Sequence, residues 1–178
     1  MALSFTEELA SQYYKHLMKN EWPKYIVSEK VKYRGPRGGW KDIDILALGQ
    51  NEICIIETKH YPWRGTKRET IKHILDSFKT AEKFVKKQPY AKGKKVKKIF
   101  IVEYASQPML KELKKQRIDV RELDKIVEEF LQILYKRIWK KEWKGRGKEE
   151  NNVTRTLLVL LEHEFIKEKK LDISEYWT

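Results

Sequence analysis

The sequence predicts an α/β fold in which a mixed β-sheet of about five strands is flanked by helices. Three consecutive strand-like segments between residues 25 and 59 predict an antiparallel meander. Helical and strand-like segments then alternate, which is typical of parallel strands joined by crossover helices. The strand "ICIIETK" is almost continuously apolar before its glutamate, as expected for a central strand covered on both faces.

The first half of the chain opens with a predicted helix over residues 4–19. Ser4 and Glu7 fit the capping-box pattern S-x-x-E, and Leu9 and Tyr13 begin an apolar stripe that repeats every four residues. The three strands of the meander follow in "KYIVSEKVKYRG", "WKDIDILAL" and "ICIIETK". A glycine-rich turn, "GPRGG", and a tight turn, "GQNE", separate them.

The second half alternates amphipathic helices with short strands. Apolar residues at 3–4 spacing predict the helices, and the segments "IFIVEYA" and "IDVREL" predict the strands. The predicted helices are residues 67–87, 107–116, 123–143 and 153–169. The last two follow the final strand, so they predict a helical addition at the C-terminal end of the fold.

Length and composition limit the class of protein. A chain of 178 residues suits one domain. Cys54 is the only cysteine, which excludes an intramolecular disulfide and a zinc site built on cysteines. The sequence contains no apolar run near the roughly 20 residues of a membrane span and no signal-peptide pattern, so we expect a cytoplasmic, intracellular protein without a membrane partner.

Positive charge is concentrated in one segment. The net charge is +13, and residues 60–100 alone carry thirteen basic and three acidic side chains. Such an excess favours a polyanionic partner, either nucleic acid or an anionic membrane surface. A solvated, lysine-rich surface is the alternative. Because the excess begins directly after Lys59, it predicts a basic surface around the end of that strand.

Two carboxylates and an ammonium group are predicted to meet at one end of the sheet. Asp44 lies in one strand of the meander, and Glu57 and Lys59 share a face at the end of the next. Carboxylates bind Mg²⁺, and the Thr58 backbone carbonyl is a candidate third ligand. Lys59 is suited to stabilise charge on a phosphate. The alternative is a set of strand-end side chains that simply face water.

This pattern resembles the PD-(D/E)XK nuclease superfamily. The order helix, three strands, helix, strand matches that superfamily's core, and "GGWKDIDILAL…ICIIETK" resembles its metal-binding hairpin. The resemblance covers roughly residues 4–122 and is nearest to archaeal Holliday-junction resolvases. It implies a restriction-endonuclease-like fold and an active-site trio of Asp44, Glu57 and Lys59, with metal held by Asp44, Glu57 and the Thr58 carbonyl.

Two departures from the superfamily pattern leave the subfamily open. Ile43 occupies the proline position of the motif, and residues 123–178 form an extension with no counterpart in that core. We therefore predict a single nuclease-like domain over residues 1–178. Its core spans about 4–122 and its helical extension spans 123–178.

Further residues are candidates for the site. Many superfamily members carry an acid on the first helix, for which Glu7 is preferred over Glu8, although Glu7 also fits the capping box. Trp40 and Trp63 flank the motif, where they suit base stacking or, alternatively, the core. Basic side chains near the motif predict contacts with a nucleic-acid backbone: Arg34, Arg37, Lys67, Arg68 and Lys72.

The sequence thus predicts a Mg²⁺-dependent endonuclease that hydrolyses DNA, with Mn²⁺ able to replace Mg²⁺. Cleavage of branched or junction DNA is one form of this activity. Two alternatives remain: a nuclease-fold module that binds DNA with weak or no catalysis, and a nuclease directed at RNA, because both nucleic acids present phosphates. A homodimer is expected, since two sites most simply cut two strands.

Overall fold

A computed structural model provides the structure of the protein and describes residues 4–19, 22–59, 67–139 and 151–162. The chain divides into two compact units, Met1–Leu123 and Asp124–Thr178. The helices within the described residues are α1 (Phe5–His16), α2 (Lys67–Lys86), α3 (Gln107–Lys115), α4 (Leu123–Trp139) and α5 (Asn152–Glu162). The strands are β1 (Met18–Lys19), β2 (Trp22–Pro23), β3 (Tyr25–Arg34), β4 (Trp40–Gly49), β5 (Glu52–Lys59), β6 (Lys95–Val102) and β7 (Ile118–Glu122).

Strands β3 to β7 form a five-stranded mixed sheet in sequence order. The meander of β3, β4 and β5 is antiparallel, whereas β5, β6 and β7 are parallel neighbours. Helices α2 and α3 supply the two connections between the parallel strands, which require a crossover. The predicted α/β class, five-stranded mixed sheet and C-terminal helices are confirmed.

The start of α1 shows why this helix begins where it does. The Ser4 hydroxyl accepts a hydrogen bond from the Glu7 amide at 3.3 Å, and the Glu7 carboxylate accepts one from the Ser4 amide at 2.8 Å. The capping box therefore satisfies two backbone donors. One turn of sequence further on, Leu9, Ala10 and Tyr13 are buried, so the predicted apolar stripe of α1 faces the protein interior.

The predicted helix over 4–19 is too long at its C-terminal end. The structure ends α1 at His16, and Leu17 has extended backbone angles. Residues Met18–Lys19 instead pair antiparallel with Trp22–Pro23, and the Lys24 amide donates to the Leu17 carbonyl at 2.8 Å. A small two-stranded ladder thus replaces the last helical turn.

The core of the first unit lies between the sheet and helices α2 and α3. Helix α2 buries one face, as the 3–4 spacing predicts. The buried cluster includes Ile53, Ile55 and Phe100 from the strands, Ile74, Phe78, Ala81 and Val85 from α2, and Met109 and Leu113 from α3. This packing holds β5 between two neighbouring strands, so the end of β5 is positioned by a well-packed sheet.

The second unit contains α4 and α5. Helix α5 starts at a side-chain cap, in which the Asn151 Oδ1 accepts the Thr154 amide at 2.9 Å. The parts of the two predicted helices at 140–143 and 163–169 lie outside the described residues. Within the described ranges, none of the helices combines the length and the apolar character of a membrane span.

Candidate active site

The sheet forks at the predicted site. Paired residues between β4 and β5 end at Ile45 and Ile56, although both strands continue further. Beyond that point β4 stays paired with β3, and β5 stays paired with β6 as far as Lys59. The two halves of the sheet therefore part where Asp44 and Glu57 follow the last β4–β5 pair.

Asp44 closes the base of this fork. The Asp44 side chain is only 10% exposed. Its Oδ2 atom accepts a hydrogen bond from the Thr58 amide at 2.9 Å. A carboxylate oxygen thus satisfies an amide that a regular ladder would pair with backbone. Since the N–H and C=O of one residue point to the same side of an extended strand, we expect the Thr58 carbonyl on this side as well.

Glu57 is the second buried carboxylate, at 8% exposure. Among the described residues, its Oε1 atom has no hydrogen-bond partner. Burial and then the negative charge of Asp44 raise the pKa of Glu57 to about 8, while Lys59 acts in the opposite direction. An oxygen that is buried and unpaired is costly unless a proton or a cation satisfies it.

Lys59 ends β5 two residues after Glu57 and is exposed. Residues i and i+2 of a strand lie on the same face, so the ammonium group belongs to the same side as the Glu57 carboxylate. The structure therefore brings the predicted trio of Asp44, Glu57 and Lys59 to one place, with two buried acids behind one accessible cation.

Lys30 is a member of this cluster that the sequence pattern did not indicate. Its Nζ atom donates to Asp44 Oδ1 at 2.9 Å and to Glu7 Oε1 at 2.5 Å. Burial opposes the charge on Lys30, but these two carboxylates outweigh it and raise its pKa. The backbone of Lys30 has φ +48°, a left-handed conformation that is rare for a residue other than glycine.

The unusual backbone of Lys30 coincides with a gap in the ladder. The β3–β4 pairs run from Glu29–Ile45 to Val31–Ile43 and skip the Lys30–Asp44 position. Strained backbone of this kind persists only where its surroundings hold it, and it is common at functional sites. The signal in the sequence was weak, because one lysine in the strand "KYIVSEKVKYRG" resembles any exposed one.

Glu7 reaches the site through Lys30. Its Oε1 binds the Lys30 ammonium, while its Oε2 completes the capping box with Ser4. Burial acts to raise the pKa of Glu7, but the hydrogen bonds from Lys30 and Ser4 prevail and hold the pKa below its usual value. Glu7 thus completes the capping box and also binds the lysine that pairs with Asp44.

The fit of this cluster to a divalent cation depends on few groups. In the described part of the chain, no three His, Cys, Asp or Glu side chains lie close enough together to hold a metal ion. Mg²⁺ needs fewer, because one or two carboxylates with water and substrate phosphate complete its shell. The unpartnered Oε1 of buried Glu57 suits a cation ligand. Asp44 fits as the second ligand if the Lys30 ammonium releases Asp44 and stays bound to Glu7.

The predicted nucleic-acid contacts fall in two places. Arg34 and Arg37 belong to the β3–β4 hairpin, where the Arg34 guanidinium lies 5.1 Å from the centre of the Trp40 ring. Arg68 and Lys72 are exposed on the first turns of α2. The side chain of Lys67 and residue Trp63 lie outside the described residues.

Part of the basic segment lies far from the fork. Strands β5 and β6 pair in parallel from Glu52–Lys95 to Lys59–Val102. At about 3.3 Å per residue, Lys95 is therefore about 23 Å from the Lys59 end of the sheet. Lys97 also pairs with Glu52 at 2.6 Å. The prediction that the excess positive charge surrounds the end of β5 rests on chain order. In the sheet, Lys95 lies at the opposite end from Lys59.

The fold and site together define an α/β domain with a carboxylate–lysine cluster at a fork in its mixed sheet. Residues 3–123, which are more than half of the chain, match the family model of NERD, the nuclease-related domain. The chain belongs to the nuclease-related domain family.

Solved structures with a similar fold are distant in sequence. The protein AF1548, described as of unknown function, aligns with a TM-score of 0.51 and 14% identity over 86% of this chain and 78% of that one. A repair endonuclease from Pyrococcus abyssi aligns with a TM-score of 0.42 and 14% identity over 68% of this chain and 48% of that one. The first likeness supports the fold alone. No curated protein matches the chain.

Proposed function

We propose that the protein is a Mg²⁺-dependent endonuclease of the PD-(D/E)XK type that hydrolyses phosphodiester bonds in DNA, with Mn²⁺ able to replace Mg²⁺. The observation that carries this proposal is the fork in the sheet. It sets two buried carboxylates, one with an unpartnered oxygen, behind the exposed ammonium of Lys59. Membership of the nuclease-related domain family supports the same chemistry.

Each residue has a role that follows from its surroundings. Asp44 and Glu57 hold the metal ion, together with the Thr58 carbonyl. When bound, the metal ion polarises the scissile phosphate and lowers the pKa of an attacking water. Lys59 is exposed and cationic, so it stabilises negative charge on the phosphate from the open side of the site. Glu7 holds the Lys30 ammonium, so that Asp44 can bind the metal ion.

Basic side chains on two elements of the first unit supply the nucleic-acid contacts. Arg34 and Arg37 on the β3–β4 hairpin and Arg68 and Lys72 on α2 bind phosphates, with Lys67 as a further candidate at the start of α2. Contacts of this kind position the backbone and read no sequence. We also propose a homodimer, because two copies of one site suit two strands, and sedimentation velocity tests this directly.

Cleavage of labelled DNA tests the proposal. The substrates are a duplex, a single strand and a four-way junction, each with Mg²⁺, Mn²⁺ or EDTA. We expect cleavage only with metal, and Asp44→Asn and Lys59→Ala to lower the rate by about 100-fold or more while DNA binding persists. Asp44→Asn keeps an oxygen that can accept the Thr58 amide. Asp119→Asn, which changes an exposed acid on β7, is the matched control.

The results separate the alternatives. Cleavage that survives Asp44→Asn, or that continues in EDTA, contradicts the assignment. Faster cleavage of the four-way junction than of the duplex indicates a structure-specific enzyme. An added RNA strand and RNA duplex show whether the enzyme acts on RNA instead.

One observation favours a second function, a nucleic-acid-binding module without catalysis. Lys30 already pairs with Asp44 Oδ1, so this carboxylate has a cationic partner in the folded protein without metal. Tight, salt-dependent DNA binding without measurable Mn²⁺ binding in calorimetry would support this second function and reject the first.

A further inference from the structure

We propose that the tip of the β3–β4 hairpin binds single-stranded nucleic acid, with Trp40 stacking on an unpaired base. The role of this binding in cleavage rests on the proposed function. For that function, the inference names the substrate class as nucleic acid with an unpaired strand. The binding itself requires neither metal nor catalysis.

Trp40 is presented to solvent at the first position of β4. Its side chain is 67% exposed, which is unusual for the largest apolar side chain. Arg34 is its cross-strand partner, and the guanidinium lies 5.1 Å from the ring centre. The guanidinium occupies one side of the ring, and the exposed remainder is open to a planar partner.

A basic groove lies beside this tryptophan. The hairpin tip and one side of α2 enclose a volume of about 500 Å³. Its charged lining is formed by Arg37 and Lys41 from the hairpin, Lys79 and Lys83 from α2, and one acid, Asp76. Within the described residues, no ion pair neutralises Arg37, Lys79 or Lys83. Four cations against one anion suit a phosphate backbone.

The hairpin tip is ordered by its own backbone. The Gly35 amide donates to the Gly39 carbonyl at 2.8 Å, and the Gly38 amide donates to the Gly35 carbonyl at 2.9 Å. Gly38 has φ +80°, a conformation that side chains other than glycine's rarely adopt. The tip therefore holds the backbone next to Trp40 in place, which lowers the entropy lost on binding.

An aromatic ring beside a basic groove distinguishes a single strand from a duplex. In a duplex, each base face is covered by its neighbours, whereas an unpaired base can stack on a side chain. By strand geometry, Trp40 lies about 13 Å along β4 from Asp44. A strand held at the hairpin tip is thus within two or three nucleotides of the fork.

Hairpin stabilisation is the competing explanation for Trp40. A cross-strand pair of arginine and tryptophan stabilises an antiparallel ladder without any ligand. That role predicts a loss of folding stability on replacing Trp40 and no effect on nucleic-acid affinity. The two explanations therefore give opposite results in a binding measurement.

Fluorescence anisotropy in EDTA measures this binding without cleavage. The probes are a labelled 12-nucleotide DNA strand, its RNA counterpart, an abasic strand of equal length and a blunt duplex. We expect Trp40→Ala to weaken binding of the two base-bearing strands by about 5- to 100-fold, to change binding of the abasic strand and the duplex much less, and Trp40→Phe to retain most of the affinity.

Ile26→Ala is the control variant. Ile26 is 73% exposed on the same strand as Arg34, about 27 Å from it by strand geometry, so its loss should leave every affinity unchanged. Circular dichroism establishes that each variant is folded. A strand carrying 2-aminopurine gives a second readout on the wild type, because stacking on tryptophan quenches its fluorescence.

Two results would overturn the proposal. The first is a Trp40→Ala protein that is folded, less stable to heat and unchanged in strand affinity. The second is the absence of 2-aminopurine quenching at saturating wild-type protein, which counts even if the variants fail to fold. Trp40-dependent binding by a protein that cleaves nothing would reject the nuclease and retain this site.

Discussion

Glu57 combines deep burial, a neighbouring carboxylate and an oxygen without a partner among the described residues. Each of these features disfavours the charged form, and Lys59 only partly opposes them, so its pKa rises to about 8. The arrangement is understandable if a cation satisfies the carboxylate during function.

The first prediction concerns the stability of the metal-free protein against pH. The pKa of Glu57 rises from 4.5 in the unfolded chain to about 8 in the folded one. Between these values the folded state holds a proton that the unfolded state has released. The contribution of Glu57 to the free energy of unfolding is therefore greatest below pH 4.5. As the pH rises towards 8, the protein loses on the order of 4 kcal/mol of this stability.

Urea denaturation in EDTA from pH 5 to 8.5 measures this loss. Glu57→Gln removes the titrating group, so its stability should change less over the same interval. Glu7, Glu29 and Glu82 have lowered pKa values, so their contribution to the pH dependence of stability has the opposite sign. Equal pH dependence in the wild type and Glu57→Gln would show that Glu57 ionises normally.

The second prediction concerns Lys30. Lys30→Met leaves Asp44 and Glu7 without their shared cation, so the metal-free protein should lose about 1–3 kcal/mol. The Mn²⁺ affinity should increase, because the ammonium no longer competes for Asp44. Titration calorimetry with Mn²⁺ and urea denaturation measure the two effects. Lys32→Met, an exposed lysine in the same strand, is the control.

The backbone of Lys30 gives this experiment a second comparison. Glycine adopts φ +48° without strain, so Lys30→Gly should be more stable than Lys30→Met by about 1 kcal/mol. Both variants should bind Mn²⁺ with similar affinity, since both lack the ammonium. An unchanged Mn²⁺ affinity in both would mean that Lys30 does not compete with the metal.

At the scale of elements, the sequence located the helices and strands of the first unit well where a local signal marks their boundaries. The capping box begins α1 at its predicted place, and the apolar run "ICIIETK" forms the central strand β5. The predicted end of α1 was wrong. The short β1–β2 ladder depends on pairing with Trp22–Pro23, which lies beyond the helical pattern.

The third prediction separates the two roles of Glu7 in α1. Ser4→Ala removes one half of the capping box and should cost about 1 kcal/mol of stability while leaving Mn²⁺ affinity unchanged. Glu7→Gln still suits the capping box but loses the ion pair with Lys30. Glu7→Gln should therefore destabilise α1 less than Ser4→Ala does, and it should change the Mn²⁺ affinity. Calorimetry and thermal unfolding distinguish them. Identical effects of both changes would contradict separate roles.

At the scale of the whole molecule, the net charge of +13 is divided between surfaces that the fold sets apart. Lys79 and Lys83 line the groove at the hairpin tip. Lys95 lies at the opposite end of the parallel strands, next to Glu52. Chain order placed these lysines in one segment, whereas in the fold Lys79 and Lys83 line one groove and Lys95 lines another.

The fourth prediction follows from this separation. The double change Lys79→Glu and Lys83→Glu should weaken binding of a short, 12-base-pair duplex about tenfold or more and reduce the slope of affinity against salt. The matched change Lys92→Glu and Lys95→Glu, which alters net charge equally, should have a smaller effect. Anisotropy across a salt series measures both. Equal losses would show that binding responds only to total charge.

The α/β class and the order of strands β3 to β7 with their helices followed from the sequence alone, as did the expectation that Asp44, Glu57 and Lys59 lie together. Periodicity, capping and the two-residue repeat of a strand are local properties, so they can be read along the chain. Membership of the nuclease-related domain family agrees with that interpretation.

The surroundings of Asp44, Glu57 and Lys59 depend on long-range contacts. The fork between β4 and β5, the Lys30 ammonium between Glu7 and Asp44, and the groove beside Trp40 each join residues that are distant in the chain. Such contacts depend on strand register and on the packing of α1 and α2 against the sheet. No local pattern encodes these contacts. A lysine or a tryptophan in a strand has the same sequence signature whether it forms an ion pair, packs in the core or binds a ligand.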